Sequence, residues 1–265
     1  MLRLLCFCFA LALFGCADAP APAAPPVESA PVPIQTRADS VALQAIAASG
    51  GFDAWNALPA LRFDFGVERG GQQQTAARHY WDKQQNRYRV EWPGGADSTY
   101  VALFTAWPDS GRAFVNGTPL DGEAGTEAME TARSRTINDT YWLLAPLKLF
   151  DDGVTRTFVP DSSDAATDVI RLSFDGVGLT PGDQYWLFID RETGRLTKWA
   201  FVLEGNPTPR SFEWTAYQTL QSPEGRVLLS ARKQAIGGPI AILTDNLVAP
   251  ATVDSTLFTD PQPRL

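Results

Sequence analysis

The chain has 265 residues, of which 45 % are hydrophobic and 20 % charged, and a net charge of −8 at neutral pH. That composition supports a sizeable buried core. The acidic balance, with lysine only at Lys83, Lys148, Lys198 and Lys233, leaves no electrostatic footprint for nucleic acid and opposes adsorption to anionic lipid headgroups.

Residues 1–15 have the parts of an export signal. Arg3 carries the positive charge, Leu4 to Phe14 is an unbroken apolar run, and Gly15 is a small residue at the cut. The run is too short to cross a hydrocarbon core, which takes about 20 residues in a helix. The cysteines are Cys6, Cys8 and Cys16, so no thiol follows residue 16 and none is left for a disulfide. Leu13-Phe14-Gly15-Cys16 resembles a lipobox, in which the cysteine is acylated and becomes the mature N-terminus. The resemblance implies a membrane anchor through lipid on Cys16. Ala17 stands where an Asp would resemble an inner-membrane retention signal, which points to the outer membrane of the cell envelope.

From Ala17 to Pro33 the chain is mostly Ala and Pro, a composition that cannot pack a core and favours extended polyproline II. Fully extended, this stretch reaches about 50 Å at roughly 3.1 Å per residue. Residues 16–36 therefore read as lipid anchor and tether, and residues 37–265 as one domain.

That domain opens on a helix. Asp39 and Ser40 are candidate N-caps, Leu43, Ile46, Ala47 and Gly50 share a face, and Gly50-Gly51 ends it. A further turn or two over 52–58 turns Trp55 and Leu58 inward. Leu61, Phe63, Phe65 and Val67 then alternate with Arg62, Asp64, Gly66 and Glu68, the period of a half-buried strand. Strands over 75–82 and 88–92 follow, and 99–107 is apolar on both faces, the pattern of a central strand. Asn116-Gly117 marks a turn. Within 122–146 the alternation stops, and Ile137, Tyr141 and Leu144 fall at helical spacing up to Pro146. Strands resume over 155–159, 169–174, 185–190, 196–203, 211–220, 226–233 and 240–248. The predicted fold is mainly β with helices, α+β in class: an antiparallel sheet of ten or eleven strands, one early helix and one in mid-chain.

A lipoprotein with an N-terminal helix, a long antiparallel meander and a helical interruption resembles the LolA/LolB superfamily of lipoprotein carriers. The turn Ile189-Asp190-Arg191-Glu192-Thr193-Gly194-Arg195-Leu196 is similar to one common in such sheets. The stretch Asn138-Asp139-Thr140-Tyr141-Trp142-Leu143-Leu144-Ala145-Pro146 resembles a segment of LolA-like lipoproteins. The resemblance implies an incomplete barrel, lidded by the N-terminal and mid-chain helices, whose concave face binds lipid or acyl chains.

Little in the sequence supports catalysis. His79 is the single histidine and reads as a strand residue beside Tyr80 and Trp81, so neither a zinc site nor a serine triad is well provided for. No Gly-x-Ser-x-Gly elbow or phosphate-cradling loop is present. The acids Asp151, Asp152, Asp161 and Asp164 sit in turn-like stretches and read as solvated loop residues. Asp161, Asp164 and Asp168 could collect Ca²⁺, but the glycine and closing Glu of an EF-hand are missing. The expectation is a protein with no metal or cofactor and no catalytic residues.

Aromatic residues are the remaining signal. Core filling accounts for many of them. A sheet this long also leaves a concave face that two helices only partly cover, and a ligand cavity is the natural remainder. Trp81, Tyr88, Trp92, Phe104, Tyr141, Trp142, Leu144, Trp186, Phe188, Trp199 and Trp214 are the candidate cavity and lid residues. The leading expectation is a lipid-anchored protein that binds a lipid or acyl chain, in lipid or lipoprotein trafficking. The alternatives are an assembly lipoprotein that binds another envelope protein, and a carbohydrate-binding or carbohydrate-active module.

Overall fold

A computed structural model describes residues 34–95, 97–106 and 109–265. The export signal, Cys16 and the tether up to residue 33 lie outside the described residues, as does Trp107.

Helix α1 (Arg37–Ala48) opens on a capping box: Thr36 Oγ1 accepts from the Asp39 amide, and the Asp39 carboxylate accepts from the Thr36 amide. The cap is thus Thr36 rather than Asp39 or Ser40, because Asp39 works as the acid of the box, three residues in. Gly50 joins α1 to the short α2 (Gly51–Asn56) at φ 106°. Only glycine fits there, since a Cβ would run into the carbonyl of Arg226.

The first strands are β1 (Ala60–Arg69), β2 (Gln72–Asp82), β3 (Arg87–Pro93), β4 (Thr99–Thr105), β5 (Ser110–Val115) and β6 (Thr118–Leu120). After α3 (Gly122–Leu144) come β7 (Val154–Phe158), β8 (Thr167–Phe174), β9 (Gln184–Asp190), β10 (Leu196–Leu203), β11 (Asn206–Ser222), β12 (Gly225–Ala235) and β13 (Ile240–Val248). The sheet has thirteen strands, against the ten or eleven expected. The added pair, β5 and β6, is short and half-exposed, so no apolar alternation announces it. Its turn was legible: Asn116 and Gly117 both take positive φ, as a two-residue hairpin requires.

The strand order is β6-β5-β4-β3-β2-β1-β13-β12-β11-β10-β9-β8-β7, antiparallel throughout. Two meanders are zipped together where the first strand pairs with the last, Phe65 opposite Thr244 and Val67 opposite Ile242. β6 and β7 therefore form opposite edges, and α3 has to carry the chain from one to the other. Across the sheet that path is roughly 58 Å at the usual inter-strand spacing. A 23-residue helix is about 34 Å long. The sheet curls to bring its edges within reach, giving an incomplete barrel with α3 lying across the concave face.

The concave face holds two cores. The larger packs α1 and the end of α3 against Leu61, Phe63, Leu172, Leu187, Trp199 and Leu229. The smaller packs Ala128 and Ala132 of α3 on Val90, Trp92, Ala102, Phe104 and Ala113. Ala128 and Ala132 are small, which lets the first half of α3 lie close to the strands, whereas its end packs through Leu143 and Leu144. On the convex face the C-terminal residues cover β2 to β4, with Leu257 packed on Ala60 and Tyr80. β4, apolar on both faces, lies third from an edge rather than in the middle of the sheet.

Candidate functional site

A cavity of about 550 Å³ lies beneath the C-terminal half of α3, within the usual range of small-molecule sites, about 300–1,000 Å³. Its roof is Ile137, Asn138, Tyr141 and Trp142, at the helical spacing that puts them on one side of α3. Its floor follows from strand register. Trp199 stands opposite Phe212, and Phe201 opposite Arg210, across β10 and β11. Tyr185 pairs with Phe201 from β9. On the far side Val67 and Ile242 face each other across β1 and β13. Residues 177–183, the loop before β9, and Arg69, Glu204 and Arg210 form the mouth.

The aromatic rings are packed on one another as well as around the space. Trp142 stacks on Trp199 at 4.8 Å between centroids and meets Phe212 edge-on at 5.0 Å. Tyr141 meets Trp199 edge-on at 5.5 Å. Burial pushes the Tyr141 and Tyr185 hydroxyls up out of the neutral range, so both stay protonated. The Tyr141 hydroxyl and the Trp199 indole N–H have no hydrogen-bond partner among the described residues.

Of the candidates from sequence, the structure brings three to this cavity: Tyr141, Trp142 and Trp199. Trp214 lies behind Trp199, 5.5 Å away, and Leu144 is buried in the core where α3 ends. Trp81, Tyr88 and Phe104 form a stacked ladder across β2, β3 and β4, with centroids 5.2 Å apart, on the concave face but outside the cavity. Trp92 belongs to the smaller core and stacks on Tyr100. Trp186 and Phe188 are corrected outright. They alternate with Tyr185, Leu187 and Ile189, so they point to the convex face, where Lys198 Nζ sits 3.5 Å over the Phe188 ring. Counting aromatics without assigning their face was the cause. The same alternation would have found Tyr185, which shares a side with Leu187.

His79 does more than fill a strand. It is buried, its ring stacks on Phe63 at 4.5 Å, and its Nε2 lies 2.9 Å from the Asp139 carboxylate on α3. Asn138 Nδ2 donates to the other oxygen of Asp139 at 2.8 Å. This contact ties α3 to β2 beside the cavity. A signal existed in the sequence: Asp139 falls four residues before Leu143 and three after Thr136, on the buried stripe of α3. Of the loop acids, Asp164 caps its own turn, whereas Asp168 is buried and pairs with both Arg37 and Arg191. Asp168 is therefore a structural ion-pair centre.

No family model matches the chain, and the search of curated proteins returns no match. Solved structures with a similar chain path include a DUF1329 family protein from Desulfovibrio piger, at 9 % identity and a TM-score of 0.46, covering 84 % of this chain and 98 % of that one. A LolA superfamily protein from Nitrosomonas europaea is similar at 10 % identity and a TM-score of 0.44, with coverage of 84 % and 98 %. A putative outer membrane lipoprotein-sorting protein domain from Vibrio parahaemolyticus is similar at 8 % identity and a TM-score of 0.39, with coverage of 83 % and 94 %.

Proposed function

We propose that this chain is a lipid-anchored protein of the cell envelope that binds an acyl chain in the cavity beneath α3, as a carrier or sensor rather than an enzyme. The observation that carries the reading is the cavity itself. A protein whose own side chains filled the concave face would have no room for a ligand, whereas here about 550 Å³ stays open between aromatic walls. Walls of Trp142, Phe174, Phe201 and Phe212 suit an apolar chain. Burying such a chain releases about 25 cal/mol per Å² of apolar surface, several kcal/mol in all.

The test is a mass spectrum of the organic extract from the purified protein, compared with a Cys16→Ser variant. Acyl lipid in the extract, at near one per chain, is the expected result. A clean extract together with a stably co-purifying envelope protein would replace this reading with the assembly role. In the same cells, labelling with a palmitate analogue should mark the natural chain and not the Cys16→Ser variant. Label retained by that variant would remove the anchor from the proposal.

A further inference from the structure

The two cationic side chains at the cavity mouth are Arg69 and Arg210. Both are exposed, and neither has an ion-pair or hydrogen-bond partner among the described residues. Register fixes where they stand. Arg69 ends β1 opposite Ile240, and Ile240 follows the same ladder row through Ala235 to Phe212. Arg210 stands opposite Phe201, two residues further out on the same face as Phe212. Both guanidinium groups therefore rise from the cavity-facing side of the sheet. Between them lie the ends of β12 and β13, which present Ala235 and Ile240 to the cavity side. Three inter-strand steps across and two residues along put the backbones about 16 Å apart.

Two acids share the mouth. Asp183 is buried, and its carboxylate is taken by Thr180 Oγ1 at 2.6 Å, the Tyr185 hydroxyl at 2.9 Å and the Glu204 amide at 2.7 Å. Glu204 accepts from the Gly182 amide at 3.2 Å. Both acids thus accept from the chain's own donors, whereas the guanidinium donors of Arg69 and Arg210 have no partner among the described residues. What sets these two arginines apart is their place: they are unpaired and line the rim of an otherwise largely apolar cavity.

We infer that the ligand of this cavity is an acyl chain with an anionic headgroup, a carboxylate or a phosphate, and that Arg69 and Arg210 select it at the mouth. The inference rests on the acyl-binding reading and narrows it: the tail goes beneath α3, and the headgroup stays at the rim where the guanidinium N–H groups can point two parallel bonds at paired oxygens.

The experiment uses the full chain, freed of co-purifying lipid, and two probes with the same tail, a dansyl-labelled undecanoic acid and its neutral methyl ester. The acid should bind about tenfold tighter than the ester, the size expected for a charge-assisted hydrogen bond. In the double variant Arg69→Gln, Arg210→Gln the acid should fall to the affinity of the ester, with the ester unchanged as proof that the cavity is intact. Equal affinities in the natural chain, or a preference that survives the double variant, overturn the headgroup inference and leave acyl binding standing. Binding of neither probe overturns acyl binding itself. Displacement of the acid probe by palmitate and by a lysophosphatidate of equal tail length then tells carboxylate from phosphate. A zwitterionic lysophosphatidylcholine that displaced as well as both would also overturn selection by charge.

Discussion

Lys233 shows how far a single residue can depart from its usual setting. It is wholly buried on β12, donating to the Ser230 carbonyl at 2.7 Å and to Thr244 Oγ1 at 3.3 Å, with the Trp214 ring centre 4.9 Å away. No carboxylate among the described residues is paired with it, and burial pulls its pKa down to about 7. The consequence for stability has a definite sign. Below about pH 7 the folded chain must keep this ammonium charged, and the cost is present in full. As pH rises from there toward 10.5, the lysine's ordinary value, the folded state has shed a proton that the unfolded state still holds, so stability climbs. Lys83, also drawn to about 7 by burial, adds in the same direction. Buried tyrosines such as Tyr88 and Tyr217, pushed up, turn the slope downward only beyond that range. Lys233→Met should therefore stabilise the chain at neutral pH by about 1–3 kcal/mol and flatten the rise on the alkaline side. Thermal melts across that range check it; an unchanged slope would mean that the lysine is not what titrates.

At the scale of elements, α3 is at once crossover, lid and half of the cavity wall. Its first half is held by small residues on the strands, and its second half presents Tyr141 and Trp142 to the open space. Trp142 is half-buried and stacked on Trp199, so both ligand and core have a claim on it. Trp142→Ala should weaken binding of the dansyl acid about tenfold, roughly 1.4 kcal/mol. It should cost only about 1–2 kcal/mol in stability, less than the ~3–5 of a wholly buried ring. Calorimetry and urea melts on the same sample separate the two. A loss at the upper end with binding unaltered would make Trp142 plain core filling. The helix was legible in the sequence from Ile137, Tyr141 and Leu144, yet its first fifteen residues were not. Glu123, Glu127, Glu130 and Arg133 interleave there with alanines, so no apolar stripe marks the buried face.

At the scale of the whole molecule, the chain's end closes the side of the sheet away from the cavity. Arg89 and Glu91 are buried on β3 and paired at 2.6 Å. Arg89 also donates to the carbonyls of Leu257, Asp260 and Gln262, and Glu91 accepts from the Arg264 and Leu265 amides. One ion pair thus reads both backbone polarities of residues 257–265. Arg89→Ala leaves Glu91 buried and unpaired, and should cost about 3–5 kcal/mol in urea unfolding. Hydrogen exchange should rise first over residues 253–265; loss spread evenly over the chain would show that the tail is not a separate strap. Arg89 and Glu91 alternate with Tyr88, Val90 and Trp92, so sequence alone assigns them to solvent.

Local physics was therefore readable from the sequence wherever the cause lies within a few residues. Period-two alternation placed β1 and the hairpin of β9 and β10, and Asn116-Gly117 and Arg191-Glu192-Thr193-Gly194 placed turns, because backbone sterics at those positions depend on little else. The tertiary structure decided what depends on partners far along the chain. The pairing of β1 with β13 spans most of the domain, and it alone makes β6 and β7 opposite edges and sends α3 across the concave face. Which aromatics meet the cavity follows from that path: Trp142 and Trp199, distant in sequence, face one space, while Trp186 turns away one residue from Tyr185. Likewise the C-terminal strap turns the convex side of β3 into an interior, and only there does a charged pair such as Arg89 and Glu91 become core.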